Sequence, residues 1–174
     1  MKQNNKIIIY GVPGAGKTYF SKSLAKELSI PVFEADKIKD KLRKTKSKEK
    51  FPFLYLGTCL AYKSFGELNE ENVIRGLLAV RETLNLAVID ELQSHKYIII
   101  EGAFLDPNTL KNYADRIILL TALDEKRHKK HFLHHREKIF DIKNNQFKAA
   151  RIIQEYLIDE ARSLGIEMID SSDL

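Results

Sequence analysis

"KIIIYGVPGAGKT", residues 6–18, decides how this 174-residue chain folds. Ile7, Ile8 and Ile9 form a β-branched run without polar alternation, which predicts a strand covered on both faces, as in the interior of a parallel sheet. The next eight residues, 11–18, hold three glycines and a proline, too many for either a helix or a strand. Beyond them "YFSKSLAKEL" carries Phe20, Leu24 and Leu28 at i, i+4 and i+8, the spacing of one helical face. The chain therefore passes from strand through a loose turn into a helix.

That unit repeats. "PVFEA" (31–35), "YIII" (97–100), "RIILLT" (116–121) and "IEMI" (166–169) read as further short strands. Helical periods lie between them, through Ile74, Leu77, Leu78, Arg81, Leu84 and Val88, and again through Phe147, Ala150, Ile153, Tyr156 and Leu157. Alternating strands and helices predict an α/β fold with five parallel strands. Residues 36–53 read as too charged for core and as interrupting the second crossover, and "KRHKKHFLHHREK" (126–138) reads as a polar, basic insertion before the last helix.

Composition narrows the partners. Hydrophobic residues at 44% and charged residues at 30% describe a globular chain of one domain, residues 1–174, and no window carries the ~20 apolar residues of a membrane helix. The start has neither an extended apolar leader nor an arginine-rich one, so the cytoplasm is the expected compartment. Lys and Arg exceed Asp and Glu by 29 − 24 = 5, a modest excess that suits anionic small molecules as well as nucleic acid. The lone Cys59 permits no internal disulfide and reads as a small buried residue.

The turn has a chemical reading. Gly11, Gly16, Lys17 and Thr18 satisfy G-x-x-x-x-G-K-[ST] between a strand and a helix, the setting in which backbone amides and a helix N-terminus converge on phosphate. Lys17 is expected to reach the outer phosphates of ATP and Thr18 to offer its hydroxyl to Mg²⁺; Pro13 and Gly14 shape the loop, and Ala15 and Tyr19 complete the nucleotide-binding set. Glu101 ends the strand "YIIIEG", where a carboxylate can reach the same metal, and Gly102 follows it beside the acceptor. Asp36, after the second strand, is placed as a general base or orienting group for an attacking hydroxyl, or as a helix N-cap.

With these residues in place, the loop, "ADKIKDKLR", "IIIEGAFLDP", "DEKRHKKHFLHHRE" and "FKAARIIQEYLIDEARSLGIEMID" together resemble the archaeal 2-phosphoglycerate kinases, relatives of the shikimate, gluconate and adenylate kinase group of P-loop kinases. The likeness spans nearly the whole chain, and His128, Phe132 and Arg136 with the "FKAARIIQEYL" helix are its most specific part. It implies the strand order 2-3-1-4-5 and γ-phosphoryl transfer from ATP to the free hydroxyl of 2-phosphoglycerate. It also implies a basic lid, about residues 124–145, in which Arg127 and Arg136 close over the phosphates. Lys39 stands where the family's segment carries an early arginine, and Arg43 and Arg151 are candidates for gripping the acceptor's anionic groups.

Other readings stay open at this stage. One is a kinase acting on nucleic-acid ends or tRNA, prompted by the two basic stretches; it lacks interleaved aromatics, so a nucleic-acid partner is not expected. Another is a non-catalytic ATP-sensing module. His128, His131 and His135 share a helical face by spacing, but without accompanying cysteines or carboxylates they read as lid surface rather than zinc ligands, with His128 contacting a phosphate or pinning the lid. The chain is expected to act as a monomer or homodimer on a small phosphorylated acceptor.

Overall fold

The structure, a computed structural model, describes residues 5–135 and 144–171, with the backbone alone at His135. In chain order the elements are β1 (Lys6–Tyr10), α1 (Lys17–Leu28), β2 (Val32–Glu34), α2 (Asp36–Arg43), α3 (Glu70–Gln93), β3 (Ile98–Gly102), α4 (Pro107–Leu110), β4 (Arg116–Thr121), α5 (Glu125–His135), α6 (Asn145–Leu164) and β5 (Glu167–Asp170). The strands form one sheet of order β2-β3-β1-β4-β5, and every pairing is parallel. All five expected strands are present, β1 and β4 with the expected bounds and the other three moved by one or two residues.

Side chains alternate across a strand, so the unbroken apolar runs feed two cores at once. Ile7, Ile9, Ile99 and Ile118 pack on one face beneath Phe20, Leu24 and Ala25 of α1. Ile8, Tyr10, Ile98, Ile100 and Leu119 pack on the other with Leu77, Leu84 and Val88 of α3 and Ile153 and Leu157 of α6. No helix among the described residues is long and apolar enough to cross a membrane.

The larger second core also holds a charged lock. Arg81 of α3 is 2% exposed and donates through both terminal nitrogens to the Glu160 carboxylate of α6, at 2.8 and 2.9 Å, with Asp106 3.9 Å away. Two fixed N–H bonds match the planar carboxylate, a geometry only arginine offers. Asp106 also caps α4, accepting from the Asn108 amide, and takes hydrogen bonds from Thr109 and Asn85. Burial raises its carboxyl, but the Thr109 hydroxyl, Arg81 and Asn85 outweigh that and hold it below the usual carboxylate range.

Two expectations need correction. Residues 36–53 do contribute to the core: Ile38 of α2 is 3% exposed, Leu42 packs behind it one turn later, and the lysines Lys37, Lys41 and Lys44 face outward. High charge had masked an amphipathic turn. The basic stretch is likewise one-sided. In α5, His128 and Phe132, at i and i+4, are 1% and 2% exposed, whereas Lys126, Arg127, Lys130, His131 and His134 are exposed.

Candidate active site

The loop between β1 and α1 sits at the carboxyl edge of the sheet because β1 is the central strand, with β3 on one side and β4 on the other. Gly11 leaves β1 at φ 151°, where an added Cβ would stand 2.3 Å from the Leu120 carbonyl oxygen of β4. Only glycine fits there. The Ala15 amide closes the turn onto the Val12 carbonyl at 3.2 Å, and Gly16, at φ 83°, caps α1. The amides of the first turn of α1 have no intrahelical acceptors and make the end of that helix electropositive.

Lys17 is 9% exposed and its Nζ donates to the Val12 carbonyl at 2.9 Å, so the ammonium folds back over its own loop. Thr18 donates its hydroxyl to Glu101 Oε1 at 2.7 Å across 83 residues of sequence. Parallel register explains the meeting: Ile9 pairs with Glu101 and Tyr10 with Gly102, so the loop that follows β1 rises beside the end of β3. A hydroxyl and a carboxylate brought together next to an ammonium form a donor set that suits a hard divalent cation beside phosphate.

These groups line a cleft of about 450 Å³ that also includes Pro13, Gly14, Gly16, Tyr19, Glu34, Ala35, Asp36, Gly102, Ala103, His131 and His134. Asp36 is exposed on its wall as the first residue of α2. The N-cap of that helix is Ala35, without a side-chain cap, so the capping role does not fall to Asp36; its charge still suits the helix start. Glu34 is a lining residue that sequence reading missed; it ends β2 and pairs in register with Glu101 of β3, so its signal was the same strand-end position that singled out Glu101. His131 and His134 approach from α5 on the facing wall.

Other candidates lie elsewhere. Lys39 is 5% exposed, with its Nζ on the Leu56 carbonyl at 3.2 Å and over the Phe104 ring at 4.8 Å. Arg43 donates from Nε and Nη2 to the Leu54 carbonyl at 3.1 and 2.9 Å, pairs with Asp40 and lies over Tyr55. Arg127 is exposed, its amide on Asp124, and lines a small recess with Gly14, Asp124 and Ser171 beside the loop. Arg151 donates to the Ala122 carbonyl at 2.7 Å and meets His128 Nδ1 at 3.3 Å. Arg136 lies outside the described residues.

His128, expected to contact a phosphate or pin the lid, meets the loop backbone. Its Nε2 stands 2.9 Å from the Pro13 carbonyl of the loop, across 115 residues of sequence. Burial lowers its pKa below 6.5, aided by Arg151 and Lys17 and opposed by the Pro13 hydrogen bond and Glu125.

The comparisons agree with this architecture. The family model described as "ATPase family associated with various cellular activities (AAA)" matches residues 7–144. No curated protein matches the chain in sequence. Among solved structures, the chain is similar to a shikimate kinase from Acinetobacter baumannii in complex with shikimate, at TM-score 0.60 and 17% identity over 95% of this chain and 83% of that one. A gluconokinase from Sinorhizobium meliloti 1021 gives 0.56 and 14% over 98% and 85%. Deoxyadenosine kinase from M. mycoides with bound dATP gives 0.51 and 14% over 96% and 91%. At such identities the likeness is one of fold.

Proposed function

We propose that this chain, which belongs to the ATPase family associated with various cellular activities (AAA), is an ATP-dependent kinase acting on a small molecule. The observation that carries the proposal is the convergence of Lys17, the Thr18–Glu101 pair and Asp36 on one cleft at the carboxyl edge of the sheet. Phosphoryl transfer asks a protein mainly for positioning and for positive charge around a dispersed negative one. The loop from Gly11 to Tyr19, with Pro13, Gly14, Ala15 and Gly16 in its turn, is the triphosphate cradle. Thr18 and Glu101 are the residues to hold Mg²⁺, which when bound neutralises charge on the phosphates.

Asp36 faces the same volume and is the group to accept, or orient, the proton of the acceptor hydroxyl. Gly102, in the lining of the cleft, would border the acceptor, and Arg127, in the recess beside the loop, would meet developing charge. Residues 1–174 form a single kinase domain in this reading, with a lid over residues 124–145 to which Arg136 adds a second guanidinium. The acceptor implied by the sequence resemblance is 2-phosphoglycerate, yielding 2,3-bisphosphoglycerate. Lys39 and Arg43 would bind its anionic groups after exchanging the carbonyls they now hold for the ligand, and Arg151, kept on Ala122 and His128 through Nη1, would add its charge through its remaining N–H groups. The kinase neighbours of this fold, one holding shikimate and one dATP, support a small-molecule acceptor in general.

The test is ADP release from ATP·Mg²⁺ with and without a panel of phosphorylated glycerates, sugar acids and nucleosides, the product being weighed by mass spectrometry. Acceptor-dependent release with a product heavier by one phosphoryl group supports the kinase. Release independent of every acceptor makes the protein an ATP hydrolase instead.

A further inference from the structure

We propose that His128 is a positioning residue for the phosphate-binding loop: held by Arg151, it fixes the Pro13–Gly14 peptide so that the Gly14 amide faces the triphosphate. This rests on the kinase reading of the cleft.

A buried imidazole needs partners for both nitrogens, and His128 is 1% exposed. The Pro13 carbonyl only accepts, so the Nε2 at 2.9 Å must carry the hydrogen. Nδ1 then presents a lone pair, and the guanidinium of Arg151, which can only donate, stands 3.3 Å from it while the same nitrogen donates to Ala122. Both neighbours thus select one neutral tautomer. Phe132 and Phe147 pack on the ring at centroid distances of 6.2 and 5.1 Å and restrict its tilt.

The peptide that His128 grips is otherwise easy to turn. Proline fixes its own φ but not the plane that follows it, and Gly14, at φ 83°, tolerates backbone conformations closed to other residues. In a planar trans peptide the C=O and the next N–H point in opposite directions. Tying the Pro13 oxygen to α5 therefore sends the Gly14 N–H the other way, away from α5. A second contact seats the same helix turn: a Cβ on Gly14 would lie 2.9 Å from the Phe132 backbone, so α5 rests against the loop without a gap. The basic helix is in this view part of the phosphate site's frame.

Two variants separate donor from shape. His128→Phe keeps an aromatic ring and removes the donor; His128→Gln supplies an N–H for Pro13 and an acceptor for Arg151. Calorimetry with inorganic tripolyphosphate is expected to show about tenfold weaker binding for His128→Phe, the scale of one misdirected hydrogen bond to a charged ligand. KM for ATP should rise in parallel, KM for the acceptor should not, and His128→Gln should recover most of the loss. Unchanged tripolyphosphate binding by folded His128→Phe overturns the proposal, as does a failure of His128→Gln to improve on it. If His128→Phe does not fold, ¹⁵N NMR of the wild-type ring decides: a neutral Nε2–H form at pH 7 supports the assignment, and an Nδ1–H form or an imidazolium overturns it. Wild-type protein that takes up neither tripolyphosphate nor ATP sinks the kinase reading itself, a result distinct from wild-type binding that His128→Phe leaves intact.

Discussion

Two clusters of charged side chains among the described residues differ in construction. Around Arg81 the charges answer one another: a guanidinium bridges both oxygens of Glu160, with Asp106 nearby and itself bound by Thr109 and Asn85. In the cleft, Glu34 and Asp36 are exposed on the wall of an open volume of about 450 Å³, while Thr18 and Glu101 meet at its base. The comparison teaches that burial of a charge is a poor guide to chemistry. What separates a site from a lock is whether the charges face protein or space.

The sharpest way to break the comparison is at the loop. Lys17→Ala should leave no detectable phosphoryl transfer while its circular dichroism matches the wild type, because the ammonium serves the ligand and not the core. Asp36→Asn comes next, with kcat expected to fall about 10²–10⁴-fold, the range of a lost general base, and ATP affinity measured by calorimetry little changed. Equal loss of both would return Asp36 to a structural role at the start of α2.

At the lock the sign reverses. Arg81→Ala should cost about 3–5 kcal/mol of stability in urea titrations, because the part-buried Glu160 loses the partner that offsets its desolvation. The double variant Arg81→Met with Glu160→Leu should recover much of that loss, since both charges are then gone. Smallest is the effect of acid. His128 has a folded pKa below its unfolded value of 6.5, so the unfolded chain binds the proton more tightly. Its contribution to stability is complete above pH 6.5 and is lost as pH falls from there through the folded pKa. Melting temperature against pH should consequently drop more steeply below pH 6.5 in the wild type than in His128→Phe.

The sheet and the loop were legible in the sequence because both are local signals. Ile7, Ile8 and Ile9 declare a doubly covered strand, and Gly11, Gly16, Lys17 and Thr18 sit within a few residues of one another. Glu101 and Asp36 were found through strand ends, which parallel topology gathers on one edge. The interior lock was not legible: Arg81 stood in a helical period beside leucines, and its partner belongs to a helix 79 residues further on. Lys39 and Arg43 were read from the resemblance and from their spacing after Asp36, whereas their orientation follows from the carbonyls of Leu56 and Leu54 in a segment without sustained periodicity. His128 was singled out by its surroundings in the sequence, yet its hold on Pro13 depends on where α5 lands.

The hydrogen bond from Thr18 to Glu101 has a consequence for how the protein comes into being. Its two halves are synthesised far apart, and Gly11 needs the still later β4 against its bare α-carbon. No early fragment emerging from a ribosome can therefore assemble the pocket, and the ability to retain a ligand there arrives only when the central three strands have closed. Occupancy of that pocket is a report on the closure of those three strands.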